Sequence, residues 1–403
     1  MISERAVIAD VKLFNGLPSR WLRSAAIVAA AAGLWAGYAP PGHAFETSAR
    51  EALLVDATTW TPLLEKDAFV PAPPASMSKL MTLFMVFEQL HAGRLSLDDT
   101  FPVSDNAWRK GGAKSGSSTM FLEPGARVRV EDLLHGVIIQ SGNDACIVLA
   151  EGLASSEEEF ARQMTGRARE LGMKNSTFKN ASGWPEQGHV MSAWDLALLS
   201  RLIIERFPEY YKIFADKQFT YNGIRQGNRN PLLYTSIPAD GLKTGHTVES
   251  GYGFTASAPR GNRRLILVLN GVGSMKERAA ESERLLDWGF REFENYPLFT
   301  AGASVGEAAV WLGEQASVPL TIENKLVLTL PRTARAGMKV MVAYEGPVPA
   351  PIAKGQQIAV LRVTTAGAPP FEVPLLAAAD VPRLGFLGRI SAALKSILWG
   401  ASV

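Results

Sequence analysis

The chain has 403 residues, more than one ordinary domain needs, and its 47% apolar content can fill a sizeable core. The 41 basic and 39 acidic side chains leave a net charge of +2, so no global field favours nucleic acid and no nucleic-acid partner is expected. The five histidines are scattered and Cys146 is the single cysteine, which excludes an internal disulfide and a zinc-type cluster; no metal or cofactor is expected.

Residues 1–44 read as an export leader. Arg5, Lys12, Arg20 and Arg23 precede an apolar run at 25–36, Pro40-Pro41 breaks that run, and small residues follow up to a cleavage point after Ala44. The run falls short of the roughly 20 apolar residues of a spanning helix. A cleaved signal is therefore preferred over a retained anchor.

Residues 45–297 mix strands and helices. A short apolar strand at 52–56 leads into a hairpin turn at Thr58-Thr59. Residues 80–90 are apolar nearly all round, which predicts a helix buried at the centre of the domain. Residues 130–150 hold two helical pieces interrupted by Ser141-Gly142-Asn143. Surface helices follow at 156–171 and, capped by Ser192, at 192–205. Strands at 252–258 and 264–272 flank a turn at 259–261, and a helix at 279–293 closes the region.

Residues 298–378 change character. Short strands at 318–322, 326–330, 339–344, 358–363 and 371–375 are punctuated by Pro and Gly, which predicts a small all-β domain, a spacer or interaction module without chemistry of its own. Residues 379–403 form a basic amphipathic tail. On a helix Leu384, Phe386, Leu387, Ile390, Ala393, Leu394, Ile397 and Leu398 share one face, no acid follows Asp380, and Trp399 sits near the end. That pattern suits a membrane interface, with packing on its own domain as the competing reading.

Three motifs carry the candidate chemistry. Ser76-Met77-Ser78-Lys79 opens the apolar helix, so Ser76 lies in its first turn and Lys79 shares its face three residues on. A lysine acts as base only when neutral, and burial together with a second cation, for which Lys243 is the candidate, lowers its pKa. The plain alternative is an N-capping serine beside a surface lysine. Ser141-Gly142-Asn143 supplies a hydroxyl to relay a proton and an amide to hold a substrate, or is an ordinary polar turn. Lys243-Thr244-Gly245 leads into the strand at 252–258; Lys243 faces the pocket, Gly245 leaves room for a ligand backbone, and a peptide can pair with that edge. The backbone N–H groups of Ser76 and His246 form an oxyanion hole in this reading, the His246 ring being structural, and Arg278 adds a cation for a terminal carboxylate.

The segments at 75–82, 140–146, 219–226 and 240–247 resemble those of the serine D-alanyl-D-alanine carboxypeptidases, the low-molecular-mass penicillin-binding proteins, as does Arg278-Ala279-Ala280-Glu281-Ser282. The likeness is strong over about residues 49–293. It implies an α/β (α+β) penicillin-recognising fold, a second small all-β domain and a C-terminal amphipathic helix. It also implies the substrate, a peptidoglycan stem peptide ending in D-Ala-D-Ala, and β-lactam antibiotics as covalent inhibitors. Ser76 is then the nucleophile, Lys79 the base and Ser141 the proton relay, while Asn143, Lys243, Thr244, Gly245, His246 and Arg278 bind substrate. The implied place is the periplasmic side of the bacterial inner membrane, with the tail holding the protein to the membrane surface. A class A β-lactamase shares the motifs but also wants a Glu-x-x-Leu-Asn segment between the second and third, and none occurs there. A cross-link D,D-endopeptidase and an inactive peptidoglycan-binding scaffold remain as alternatives.

Overall fold

The computed structural model describes residues 5–10, 46–365, 370–388, 390 and 391. It divides into one unit spanning Phe45–Phe293 and another formed by Met1–Ala44 with Glu294–Val403. The expected leader run at 25–36, the cleavage point and most of the amphipathic tail lie outside the described residues.

The larger unit is built on an antiparallel sheet. Its strands are β1 (Glu51–Asp56), β2 (Thr61–Lys66), β3 (Gly241–Thr247), β4 (Gly251–Arg260) and β5 (Arg263–Val272), in the order β2-β1-β5-β4-β3. Side-chain alternation splits each central strand between two cores. Leu53 and Val55 of β1 and Ile266 and Val268 of β5 join one cluster. Ala52, Leu54, Leu265, Leu267 and Leu269 point the other way, onto Leu285, Leu286 and Phe290 of the helix Met275–Glu292. A sheet covered on both faces explains why these strands read as continuous apolar runs.

Helix α1 (Lys79–His91) lies in the first cluster with Leu80, Met81, Leu83, Phe84, Val86 and Phe87 all buried, as its unbroken apolarity predicts. Each such side chain contributes about 1.5–3 kcal/mol relative to exposure, so the turn that leads into α1 rests on a firm support. Helix α2 (Asn143–Leu153) packs in the same core, and α3 (Ala193–Arg206) is capped by Ser192 Oγ, which accepts from Asp195 N at 3.1 Å.

Some boundaries differ from expectation. The third motif occupies a separate edge strand, β3, rather than merely leading into β4. The closing helix starts at Met275, ahead of 279, because Ser274 Oγ caps it by accepting from Glu277 N. Gln218–Tyr221 and Ile224–Gly227 form a hairpin around Asn222-Gly223, whose positive φ angles of 45° and 75° are those an Asn-Gly turn supplies.

The second unit is all-β. Its main sheet runs Arg5–Asp10, Lys339–Gly346, Gln357–Thr364, Phe371–Ala377, Ser317–Thr321, Ser304–Trp311 and Val348–Pro349. Inward residues such as Val318, Leu320, Val342, Leu361, Val363 and Leu375 make its core. Ser304–Trp311 and Phe293–Phe299 are strands beyond those anticipated; Gly306 and Glu307 in one and Asn295 and Pro297 in the other break the apolar alternation. Arg5–Asp10, part of the expected leader, pairs antiparallel with Lys339–Gly346. Among the described residues no helix is long and apolar enough to cross a membrane.

Candidate active site

The first motif folds as a tight 3-10 turn, Ala75–Ser78, immediately ahead of α1 rather than as the first turn of α1 itself. Ser76 is half-buried, whereas Lys79 is fully buried. Lys79 Nζ donates to Ser76 Oγ at 2.8 Å and to the Ser182 carbonyl at 2.5 Å. Burial pushes the Lys79 ammonium down to about 8, with the Arg229 guanidinium acting in the same direction against nearby Cys146, Asp144 and Glu157. A lysine in this state holds a serine hydroxyl and has a usable neutral fraction near neutral pH.

The Ser182 carbonyl is presented by a loop that sequence reasoning missed. Asn180 Oδ1 accepts from Ser182 N, Gly183 N and Trp184 N at 3.2, 2.8 and 3.1 Å, which ties the loop into a compact turn. Gly183 has φ of 78°, and a Cβ there would lie 2.0 Å from the Ala75 carbonyl oxygen. Only glycine lets this loop close onto the serine turn.

Ser141 and Asn143 sit where one helical piece ends and α2 begins. The helical piece Val130–His135 widens into a π-turn, Gly136–Gln140, and Ser141 leaves it with a left-handed φ of 66°. Gly142 N then donates to Gly136 O at 2.9 Å and Asn143 N to Ser118 O at 2.7 Å. Ser141 Oγ and Asn143 Oδ1 are buried without a hydrogen-bond partner among the described residues, so both are available to a ligand. Asp144 fixes this corner: its carboxylate accepts from Thr119 Oγ1 at 2.6 Å, Met120 N at 3.0 Å and Leu122 N at 3.1 Å. Cys146 is buried, and burial pushes its thiol up to about 12, in keeping with a packing role.

The third motif lies on β3, at the open edge of the sheet. Lys243 is buried, and its Nζ donates to Thr244 O at 3.2 Å. Burial first, then the charges of Lys79, Arg229 and Arg278, push its pKa well below the usual lysine range. Lys79 thus lowers Lys243, whereas the second cation that lowers Lys79 is not Lys243, as the sequence suggested, but Arg229, which the sequence did not announce. Its Nη1 donates to Ser118 Oγ at 2.6 Å.

Gly245 corrects an expectation. The space a Cβ would take is filled by the protein itself, with Pro74 O at 2.9 Å and Ala75 Cβ and Met77 Cγ each at 3.2 Å. Gly245 lets the serine turn approach β3; it does not open room for a ligand backbone. The His246 ring stacks on Tyr252 with centroids 3.9 Å apart. Arg278 is buried rather than a surface charge. Its Nη1 donates to Gly245 O and Gly253 O at 3.4 Å each, its Nε has no partner among the described residues, and burial lowers its pKa to about 10.

Ser76, Lys79, Ser141, Asn143, Lys243, Thr244 and Arg278 therefore belong to one unit, in which Lys79 holds Ser76, Gly245 of β3 lies against Pro74 and Ala75, and Arg278 donates to Gly245 O. The arrangement offers a serine hydroxyl on a weakly basic amine, the buried cations Lys243 and Arg278, and a strand at the open edge of the sheet.

Known proteins share this layout. The sequence model described as D-alanyl-D-alanine carboxypeptidase matches residues 38–273, and that of the penicillin-binding protein 5 C-terminal domain matches 293–383. D-alanyl-D-alanine carboxypeptidase DacC of Escherichia coli (strain K12) is 40% identical over 364 residues, covering 88% of this chain and 91% of that protein. Among solved structures, penicillin binding protein 5 from Haemophilus influenzae has a TM-score of 0.75 and 34% identity, and the match covers 86% of this chain and all of that one. Penicillin-binding protein D2 from Listeria monocytogenes in its ampicillin-bound form has a TM-score of 0.53 and 31% identity, over 61% of this chain and 99% of that one.

Proposed function

Because the chain belongs to the D-alanyl-D-alanine carboxypeptidase family and is a serine-type carboxypeptidase of that family, we propose a residue-level mechanism for the removal of terminal D-alanine from peptidoglycan stem peptides. Ser76 Oγ attacks the penultimate D-alanine carbonyl, and its proton passes to neutral Lys79. The backbone N–H groups of Ser76 and His246 receive the developing oxyanion. Ser141 Oγ relays a proton to the departing D-alanine amine, and Asn143 holds the stem's amide. Lys243, Thr244 and Arg278 hold the terminal carboxylate, with Gly245 keeping β3 close to the serine turn. Water then hydrolyses the acyl-enzyme. β-Lactams acylate the same serine, a reading that the antibiotic-bound relative supports.

The observation that carries this mechanism is the 2.8 Å contact between Ser76 Oγ and a fully buried Lys79. Its test is D-alanine release from a linear pentapeptide against hydrolysis of a cross-linked dimer, each with Ser76→Ala beside it. Faster release from the linear peptide, lost in the variant, supports the carboxypeptidase; preference for the dimer favours the D,D-endopeptidase.

The leader and tail complete the proposal. Export through residues 1–44 places the enzyme on the periplasmic side of the inner membrane, and the tail holds it there peripherally. In the described part of the tail Phe386, Leu387 and Ile390 are 70%, 80% and 44% exposed, a pattern that suits an apolar face meeting lipid.

A further inference from the structure

Glu157 is a buried carboxylate that the mechanism above leaves without a role. It is one of three acids, with Glu158 and Glu159, in the first turn of the helix Glu157–Glu170, which Ser156 Oγ caps by accepting from Glu159 N at 3.1 Å. Acids there complement the positive end of the helix dipole, and a solvated side chain is enough for that. Glu158 is exposed and Glu159 pairs with Arg162. Glu157 instead turns inward and is 6% exposed. Burying a charge is costly unless it is paired and hydrogen-bonded, so its partners matter. Its Oε1 accepts from Ala181 N at 3.2 Å, and its Oε2 lies 3.8 Å from Lys110 Nζ of the helix Asp105–Gly111. Ala181 directly precedes Ser182, whose carbonyl receives Lys79 Nζ. The Ala181 carbonyl accepts from Thr82 Oγ1 of α1 at 2.6 Å. Two successive carbonyls of this loop are thus engaged by α1, and the Ala181 N–H is anchored by Glu157. Thr165, on the same helix as Glu157, adds a second tie by accepting from Phe178 N at 2.9 Å.

Glu157 also reaches Lys79 through its charge. Besides burial, Cys146, Asp144 and Glu157 favour the Lys79 ammonium and Arg229 opposes it. The Cys146 thiol, pushed up to about 12 by burial, is neutral where Lys79 titrates, so the two carboxylates carry the effect. Asp144 is committed to Thr119, Met120 and Leu122. Around Glu157 itself burial raises the carboxyl pKa; the Ala181 N–H and the Lys110 ammonium favour the ionised form, and Glu158 and Glu151 oppose it.

We propose that Glu157 is a positioning residue for acylation: its carboxylate holds the Ala181–Ser182 backbone so that the Ser182 carbonyl meets Lys79 Nζ, and its negative charge stabilises the Lys79 ammonium across the protein interior. The assignment rests on Lys79 being the base, and its test separates the two. Acylation by excess chromogenic cephalosporin is followed by stopped flow from pH 6 to pH 9 for the full native chain, Glu157→Gln and Glu157→Leu. Each trace yields a first-order constant of the folded enzyme, which does not depend on how much of a variant is folded. Glu157→Gln keeps an oxygen for the Ala181 N–H and removes the charge. The Lys79 ammonium loses support, so the midpoint of the profile moves to lower pH by about 0.3 to 1 pH unit, the scale of one charge acting on another inside a protein. Glu157→Leu removes the acceptor as well. The Ala181 N–H is left unpaired, the Ser182 carbonyl moves off Lys79, and the plateau rate falls about 10- to 100-fold below that of Glu157→Gln, the cost of a misplacement of about 1 Å. A role in folding alone would not move the midpoint. A Glu157→Gln midpoint at or above the native one, or a Glu157→Leu plateau equal to that of Glu157→Gln, overturns the assignment, while the rise of the native rate from pH 6 to pH 8 leaves Lys79 standing as the base. A native profile without that rise overturns Lys79 as base and this assignment with it.

Discussion

If neutral Lys79 is the base, acylation of Ser76 must follow the ionisation of that one lysine. With its pKa lowered to about 8, the neutral fraction is roughly 1% at pH 6, about half at pH 8 and about 90% at pH 9. The acylation rate constant therefore rises about 50-fold from pH 6 to pH 8 and less than twofold beyond. The sign follows from burial, which disfavours the charged amine and so brings the neutral form into reach as pH increases. Stopped-flow acylation by a chromogenic cephalosporin across this range measures it directly. Lys79→Arg keeps the charge at every pH, so the rate drops by about 10²- to 10⁴-fold, the usual worth of a positioned base, and the pH dependence vanishes. Arg229→Gln removes a cation that depresses Lys79 and shifts the midpoint to higher pH. A native profile that is flat between pH 6 and pH 8, or a Lys79→Arg variant that keeps the native profile, refutes the assignment of Lys79 as base.

Three further outcomes are expected. Gly245→Ala drives a Cβ to 2.9 Å from Pro74 O; overpacking of this kind costs about 1–3 kcal/mol, seen as a lower melting temperature and slower acylation together. Asp144→Asn deprives the Thr119–Leu122 corner of one acceptor oxygen and costs about 1–3 kcal/mol, read by thermal denaturation, with a fall in acylation rate as Asn143 loosens. Arg278→Gln raises KM for a D-Ala-D-Ala peptide by about 10- to 100-fold, the range of a charged hydrogen bond; an unchanged KM removes Arg278 from the carboxylate site.

The parts of the site that were legible in the sequence are those set by local pattern. The apolar sequence of α1 fixed the helix behind Lys79, and the interrupted helix at 141–143 announced its turn. The parts that escaped depend on distant segments meeting. Ser182 lies 103 residues from the Lys79 it contacts, and nothing local in Asn180-Ala181-Ser182-Gly183 tells that its turn closes on the serine. Arg229 follows a hairpin whose docking near Ser118 is a tertiary outcome, and Gly245 needed the position of Pro74 to be interpreted. The second domain was readable where Val and Leu alternate, as in Ser317–Thr321 and Gln357–Thr364, and obscure where Gly306 or Pro297 interrupts the pattern.

The measurement that tests the central claim most directly is the intact mass of the protein after incubation with benzylpenicillin, taken beside Ser76→Ala. The account predicts one covalent adduct on the native chain, mapped to the peptide containing Ser76, and none on the variant. An adduct that persists in Ser76→Ala, or a native chain that stays unmodified, contradicts it.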